Sequence, residues 1–330
     1  MTRLLVIILN YRTAQMTLRA AEAALADMPE GGELVLVDNA SGDGSARVLQ
    51  EEITARGWAV EGRVRLILSN ANGGFGAGNN LGLKAAMSDG TRPDFFYVLN
   101  SDAFLDPGCI AALLAHLHAH PKAAFAASHV RGEDGVAHTT AFRFPSVQGE
   151  FEGAARIGVI SRFLARAVVA PPLPQEAARV DWAAGASVLM RAEALRDIGL
   201  FDETFFLYFE ETDLMKRAAR KGWQTWYVPQ ARVVHIGSVS TGMKDWQRTP
   251  PFWFASRRHY FVKNYGRGYA AAAWAARLAG SALHALRCAV TGRPSQDPPH
   301  FVGDLFRFGL GLSRADHRPK PSRTPSEDRS

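Results

Sequence analysis

Four apolar runs in the first third of the chain each stop at a polar cluster, and that pattern leaves few folds open. Val6-Ile7-Ile8-Leu9 leads into Asn10-Tyr11-Arg12, and Leu34-Val35-Leu36-Val37 into Asp38-Asn39. Leu66-Ile67-Leu68 leads into Ser69-Asn70, and Phe95-Phe96-Tyr97-Val98-Leu99 into Asn100-Ser101-Asp102. Apolar runs without polar alternation are strands buried on both faces. Helical patterning fills the gaps over residues 13–26, 45–56, 79–86 and 107–118. Strand and helix alternating at this spacing predict a parallel α/β sheet with helices on both faces. Ligands in such sheets bind beyond the carboxyl ends of the strands. All four polar clusters stand there, so they are expected to form one site.

The chain has 330 residues, of which 47% are hydrophobic, enough for a large core in one domain or two. Its net charge of +6 is modest and is concentrated after residue 215. It lacks the dense Lys/Arg stripe of a nucleic-acid binder, so no nucleic-acid partner is expected. Cys109 and Cys288 are too few and too far apart for a disulfide framework or a CxxC metal site, and a reducing cytoplasm fits. The apolar run after Arg3 ends at Asn10 without a small-residue cleavage site, and reads as a strand rather than a signal peptide.

Residues 130–178 are rich in Gly, Arg and Pro with little periodicity, which suggests an insertion or a mobile loop over the site. Order resumes at 184–190, followed by a helix to Ile198 and short strands at 226–228 and 232–235. Residues 252–290 mix aromatics with bases and then become Ala-rich, with Arg277, His284 and Arg287 on one helical face. That composition is a weak transmembrane candidate. It suits a basic amphipathic helix lying on an anionic membrane, or a helix packed on the rest of the protein.

Tyr208-Phe209-Glu210-Glu211-Thr212-Asp213, shortly after Phe201-Asp202-Glu203, packs acids among aromatics. Burial and neighbouring acids both raise a carboxylate pKa, which suits a base working near neutral pH. A solvated helix start, where acids favour the helix dipole, is the alternative. Asn72-Gly73-Gly74-Phe75-Gly76-Ala77-Gly78-Asn79-Asn80 invites a dinucleotide-binding reading, but Leu81 stands where G-x-G-x-x-G needs glycine. No Lys-Ser/Thr follows, so it is not a P-loop either, and a nicotinamide-dependent oxidoreductase is disfavoured. A Gly-rich loop opening a helix remains, able to approach a ligand closely. Asn100 and Asp102, two residues apart at a strand end, can point the same way and hold a hard cation; a plain turn is the alternative.

Together these blocks resemble the GT-A glycosyltransferases of family 2, especially bacterial rhamnosyltransferase-like members. The resemblance runs from Val6 to about Tyr265, through Ile8-Leu9-Asn10-Tyr11, Val37-Asp38-Asn39-Ala40-Ser41-Gly42-Asp43-Gly44-Ser45, the Asn70 to Asn80 block, Leu99-Asn100-Ser101-Asp102, Gly185-Ala186, Phe201-Asp202-Glu203 and Tyr208 to Leu214. It implies a GT-A fold, an α/β structure with a mostly parallel central sheet, a Rossmann-like nucleotide-binding half and a C-terminal helical extension. The implied division is 1–248 as the GT-A domain, with 1–125 binding nucleotide-sugar and 180–248 carrying the acceptor and catalytic half. Residues 249–312 then form the basic helical extension and 313–330 a disordered tail.

The resemblance further implies donor contacts from Asn10, Asp38, Asn70, Gly74, Asn79, Asn100 and Asp102. Asn100-Ser101-Asp102 stands where the family has its DxD motif, so Asp102, with His235, would hold Mg2+ or Mn2+. Glu211 or Glu210 would be the base, with Asp213, Tyr208 and Gly185 supporting the acceptor side. The implied reaction is inverting transfer of a sugar, dTDP-rhamnose being the first guess, to a glycan or lipid-linked acceptor in surface polysaccharide synthesis. The setting would be the cytoplasm, peripheral on the inner face of the membrane. A non-catalytic nucleotide-sugar or glycan-binding protein on the same fold is the alternative.

Overall fold

A computed structural model describes residues 2–237, 248–295 and 297–309. The tail expected over 313–330 lies outside the described residues. The chain opens with β1 (Leu4–Asn10), α1 (Ala14–Asp27), β2 (Glu33–Asp38), α2 (Ser45–Ala55), β3 (Val64–Leu68), α3 (Gly74–Leu83) and β4 (Phe95–Asn100). Then come β5 (Ala103–Leu105), α4 (Cys109–Ala119), β6 (Ala123–Arg131), β7 (Ala141–Phe142), α5 (Val147–Ala155) and α6 (Gly158–Phe163). These are followed by β8 (Ala178–Val180), β9 (Trp182–Ala183), β10 (Ser187–Arg191), α7 (Ala192–Ile198), α8 (Glu210–Arg220) and β11 (Gln224–His235). The helices α9 (Pro251–Tyr265), α10 (Arg267–Thr291) and α11 (Phe301–Gly309) close the described chain.

The main sheet runs β3-β2-β1-β4-β10-β6-β11-β5, with β8 added on β11. Its first four strands are parallel, as the sequence pattern predicts. Beyond β4 the sheet is mixed, because β10 lies antiparallel to both β4 and β6. Residues 4–8 of β1 are fully buried. Alternate residues of that strand feed two cores, Leu4, Val6 and Ile8 facing the core that contains α1 and α4, Leu5 and Ile7 facing that of α7 and α8. Each such aliphatic side chain contributes about 1.5–3 kcal/mol on burial, which is why the run is apolar throughout.

α3 begins at Gly74, earlier than the predicted start at Asn79. Glycine inside a helix costs about 1 kcal/mol relative to alanine, so the Gly-rich stretch reads as loop. Here the missing side chains are what allow the helix to pack. A Cβ on Gly78 would lie 2.5 Å from Leu9, and one on Gly82 2.6 Å from Ile7. The two short strands expected at 226–228 and 232–235 are one strand, β11, whose register shifts between Val228 and Arg232. Pro229 lies in that bulge, where no ladder bond is required of it.

Residues 130–178, expected as an insertion or a mobile loop, carry regular elements: the end of β6, then β7, α5, α6 and the start of β8. α5 packs along α10, so closely at Gly280 that a Cβ there would meet the Phe151 carbonyl at 2.6 Å. This corrects the reading of α10 as a helix whose basic stripe faces a membrane. Arg277 Nη1 reaches Glu150 Oε2 at 3.3 Å, His284 is buried, and Arg287 Nη1 donates to the Arg156 carbonyl at 2.9 Å. All three polar side chains are turned onto the protein, the packed-helix alternative. Among the described residues no helix is long and apolar enough to cross a membrane.

Candidate active site

Parallel pairing puts the ends of β1, β2 and β4 side by side, Asn10 opposite Asp38 and Leu9 opposite Asn100. Asn10 is fully buried; its Nδ2 donates to Asp38 Oδ1 at 2.7 Å and to Ser41 Oγ at 3.1 Å. Its Oδ1 accepts from Thr17 Oγ1 at 2.8 Å. Asp38 also accepts from Ser41, through Oγ at 2.6 Å and through the backbone N–H at 3.1 Å. Asn10, expected as a donor contact, thus orients Asp38, with its own amide bonded within the protein.

The other expected donor residues divide. Asn70 is exposed just past the end of β3, on the rim. Gly74 is closed off: with φ at +87°, a Cβ on it would stand 1.7 Å from the Phe206 carbonyl, which also accepts the Phe75 N–H. Its glycine is required by the docking of the 201–209 loop. Asn79 is buried within α3, donating to the Phe75 carbonyl at 3.0 Å. Asn39, part of the expected Asp38-Asn39 cluster but given no role of its own there, ties the site together, its Nδ2 donating to Asn72 Oδ1 at 2.9 Å, while Asn72 Oδ1 also accepts the Gly74 N–H.

Just past β4 the chain turns, and Asp102 meets His235 at the end of β11, Asp102 Oδ1 lying 3.0 Å from His235 Nε2. Asn100 Nδ2 is 3.2 Å from the same nitrogen. Among the described residues no group of three or more His, Cys, Asp or Glu side chains is arranged to hold a metal. A carboxylate, an imidazole and a side-chain amide that can turn its oxygen inward nevertheless make a donor set suited to a divalent cation. Its remaining coordination would come from ligand oxygens. His138, unmarked in the sequence, brings a second ring to within 6.4 Å of His235.

The acids lie at the start of α8. Tyr208 and Phe209 precede it with φ at +69° and +71°, two successive side-chain-bearing residues in the left-handed region. Such backbone costs about 1–3 kcal/mol per residue and persists only where packing enforces it. Phe209 is held against Trp253 and Tyr260, and Tyr208 stacks on Phe252, all from α9. The tight entry aims the two glutamates apart. Glu210 Cβ lies 3.5 Å from the place of a Cβ on Gly76, toward α3, whereas Glu211 lines a cavity of about 360 Å³.

That cavity is walled by Gly149, Glu152 and Gly153 of α5, by Val168 and Val169, and by Trp182, Tyr208, Thr212 and Trp253. Burial pushes the Glu210 carboxyl well above the ordinary carboxylate range, and the neighbouring Glu211 pushes it further. Burial raises Glu211 too, against the pull of the Gly185 N–H. One oxygen of each carboxylate, Oε2, is buried without a hydrogen-bond partner among the described residues. The residue after Gly185 closes the circuit, because the Ala186 carbonyl accepts the Asn100 N–H at 2.9 Å. Two adjacent residues thus join the Asn100-x-Asp102 corner to the acidic helix.

Asp213, expected on the acceptor side, is fully buried and committed elsewhere. It accepts from Arg217 Nε at 2.9 Å, Lys263 Nζ at 2.7 Å and Asn264 Nδ2 at 2.9 Å, and so anchors α8 to α9. Asp202 accepts from the same Lys263 at 2.7 Å and lies 2.9 Å from His259 Nε2. Burial opposes its ionisation, but these bonds outweigh it and hold Asp202 far below the ordinary carboxylate range. Asn80 completes the clamp from the other side, donating to the Phe201 carbonyl and to Glu203 Oε1, both at 2.9 Å.

Comparison with known proteins gives the same picture. A family model described as "Glycosyl transferase family 2" matches residues 5–165, and one described as "Glycosyl transferase family group 2" matches residues 95–292. An N-acetylglucosaminyl-diphospho-decaprenol L-rhamnosyltransferase of Mycobacterium tuberculosis is 31% identical over 63% of this chain and 68% of its own length. The rhamnosyltransferase WbbL of Escherichia coli is 25% identical over 49% of this chain and 60% of its own. Among solved structures, a mannosyltransferase of Pyrobaculum calidifontis in complex with GDP-Man and Mn2+ superposes with a TM-score of 0.57 at 16% identity, covering 94% of this chain and 80% of that one. GalNAc-T7 with UDP, GalNAc and Mn2+ gives 0.58 at 15% identity, over 94% of this chain and 56% of that one. The fold is GT-A, and the chain belongs to glycosyltransferase family 2, in its rhamnosyltransferase-like bacterial group.

Proposed function

We propose that this glycosyltransferase is metal-dependent and inverting. In this reading it moves a sugar from a nucleotide-diphosphate donor, dTDP-rhamnose first, to a hydroxyl of a glycan or lipid-linked acceptor. The observation that carries this reading is Glu211, a buried carboxylate with one unpartnered oxygen on a cavity wall, tied through Gly185-Ala186 to the Asn100-x-Asp102 corner.

Asp38, fixed by Asn10 and Ser41, faces the donor's base or ribose. Asp102, His235 and Asn100 would hold Mg2+ or Mn2+. When bound, the cation offsets the negative charge that develops on the leaving diphosphate. Trp182, Tyr208 and Trp253 give the cavity aromatic walls, with Thr212 and Glu152 as polar groups among them, a mixture that suits a sugar ring. Glu211 accepts the proton of an acceptor hydroxyl there. The oxygen bonds the anomeric carbon from the face opposite the departing diphosphate, which inverts that centre. The relatives' printed names supply the rhamnose and the lipid-linked acceptor, and both structural neighbours were solved with Mn2+.

The test is acceptor-dependent release of nucleoside diphosphate from a panel of nucleotide sugars with Mn2+, with the product's anomeric configuration read by NMR. Chelation with EDTA is expected to abolish turnover, and Asp102→Asn to raise the Mn2+ concentration needed for half-maximal rate by about tenfold or more. Retention of configuration, or full activity in EDTA, contradicts the reading.

A further inference from the structure

Two acid-free stretches meet where α5 ends. From Gly153 to Gln175, and again from Pro251 to Gln296, the sequence contains no Asp or Glu. The fold joins them: Arg287 Nη1 of α10 donates to the carbonyl of Arg156, two residues before α6. On α6, Val159 and Phe163 are one turn apart and 61% and 85% exposed. On the last turns of α10, Leu286 and Val290 repeat the spacing at 62% and 79%. Arg162, Arg166 and Arg293 are exposed beside them in sequence. The nearby acids are turned inward, Glu152 accepting from Ser161 Oγ at 2.6 Å and Asp297 pairing with Arg156 at 2.9 Å, so the exposed charges beside these two apolar pairs are arginines. Single exposed apolar residues are ordinary; two such pairs beside exposed arginines are a larger apolar patch.

We infer that α6 and the C-terminal turns of α10 form a docking face for an anionic lipid bilayer, with Val159, Phe163, Leu286 and Val290 entering the interface and the arginines pairing with headgroups. Charge selects this occupant. A second copy of the chain would bring the same exposed arginines against themselves, whereas an anionic bilayer offers uniform negative charge over an apolar interior. The residues differ from Arg277, His284 and Arg287, which serve the α5–α10 contact. The inference deepens the lipid-linked-acceptor reading, since α5 and Val168-Val169-Ala170, which flank α6, also wall the cavity at Glu211. Vesicle binding itself needs neither donor nor acceptor and stands apart from that reading.

The full chain is mixed with vesicles of phosphatidylcholine alone or with 30% phosphatidylglycerol (about that fraction being enough for a strong surface potential) and sedimented. Binding is expected only with the anionic lipid and is expected to weaken with salt. Val159→Ser/Phe163→Ser and, separately, Arg162→Glu/Arg166→Glu are each expected to weaken it about tenfold or more, with thermal midpoint and transfer to a soluble acceptor unchanged. These variants leave the basic C-terminal residues intact, so a loss belongs to the face. Equal binding to neutral vesicles, no binding, or variants that bind like wild type overturns the inference. So does concentration-dependent dimerisation that the same variants abolish. Failure here with intact transferase activity leaves the catalytic reading standing.

Discussion

Glu210 and Glu211 occupy one buried helix start, and ionising both there would place two charges in a poorly solvated space. Both folded-state pKa values are raised, so the stability that goes with this shift is fully present below the ordinary carboxylate range. It is lost as pH rises through the raised values. Catalysis runs the other way, because a base must ionise, so the acid limb of kcat/KM is expected above the ordinary carboxylate range. Glu210 is raised further than Glu211 and is still protonated where Glu211 ionises, so Glu210→Gln should leave that limb in place and preserve turnover; a dead Glu210→Gln enzyme would assign the base to Glu210 instead. Gly74→Ala is expected to destabilise by about 3 kcal/mol or more in urea unfolding, since it strains the backbone and drives a Cβ into the Phe206 carbonyl. The residue types of this site were legible in the sequence, including Asp38, Asp102 and Glu211. Their orientations were not: whether Asn10 faces a ligand or Asp38, and whether Gly74 yields to a phosphate or a carbonyl, depends on neighbours distant in sequence.

At the scale of elements, α8 is placed by its partners rather than by its own sequence. Lys263 of α9 bridges Asp202 and Asp213, so the loop that carries the left-handed pair Tyr208-Phe209 is fixed at both ends to one cation. Lys263→Met should cost about 2 kcal/mol of stability, the scale of charged hydrogen bonds lost from a buried acceptor, measured by urea denaturation. It should also lower kcat more than it raises KM, because Glu211 loses its fixed approach; a purely structural role would leave kcat unchanged in the folded fraction. None of this was legible locally, because Lys263 stands fifty residues from Asp213. α3 and the 130–178 segment were hidden for a different reason. Glycine and proline report backbone freedom, whereas packing on β1 and on α10 decides whether that freedom is used for helix.

In the whole molecule, the sheet was the most legible part. Strands buried on both faces must be apolar throughout, and parallel strands bring their polar ends to one edge, so the parallel half and that gathering of polar ends followed from hydrophobic pattern. The antiparallel insertion of β10 had no such signature, although it brings Gly185-Ala186 between the strand-end cluster and the acidic helix. The central claim is that these two halves form one transferase site with Glu211 as its base. The most direct test compares wild type and Glu211→Gln in parallel, measuring donor affinity by calorimetry and sugar transfer by single-turnover kinetics. The account predicts donor affinity within about twofold of wild type and transfer slowed by about 10²–10⁴-fold; near-normal transfer in the variant would contradict it.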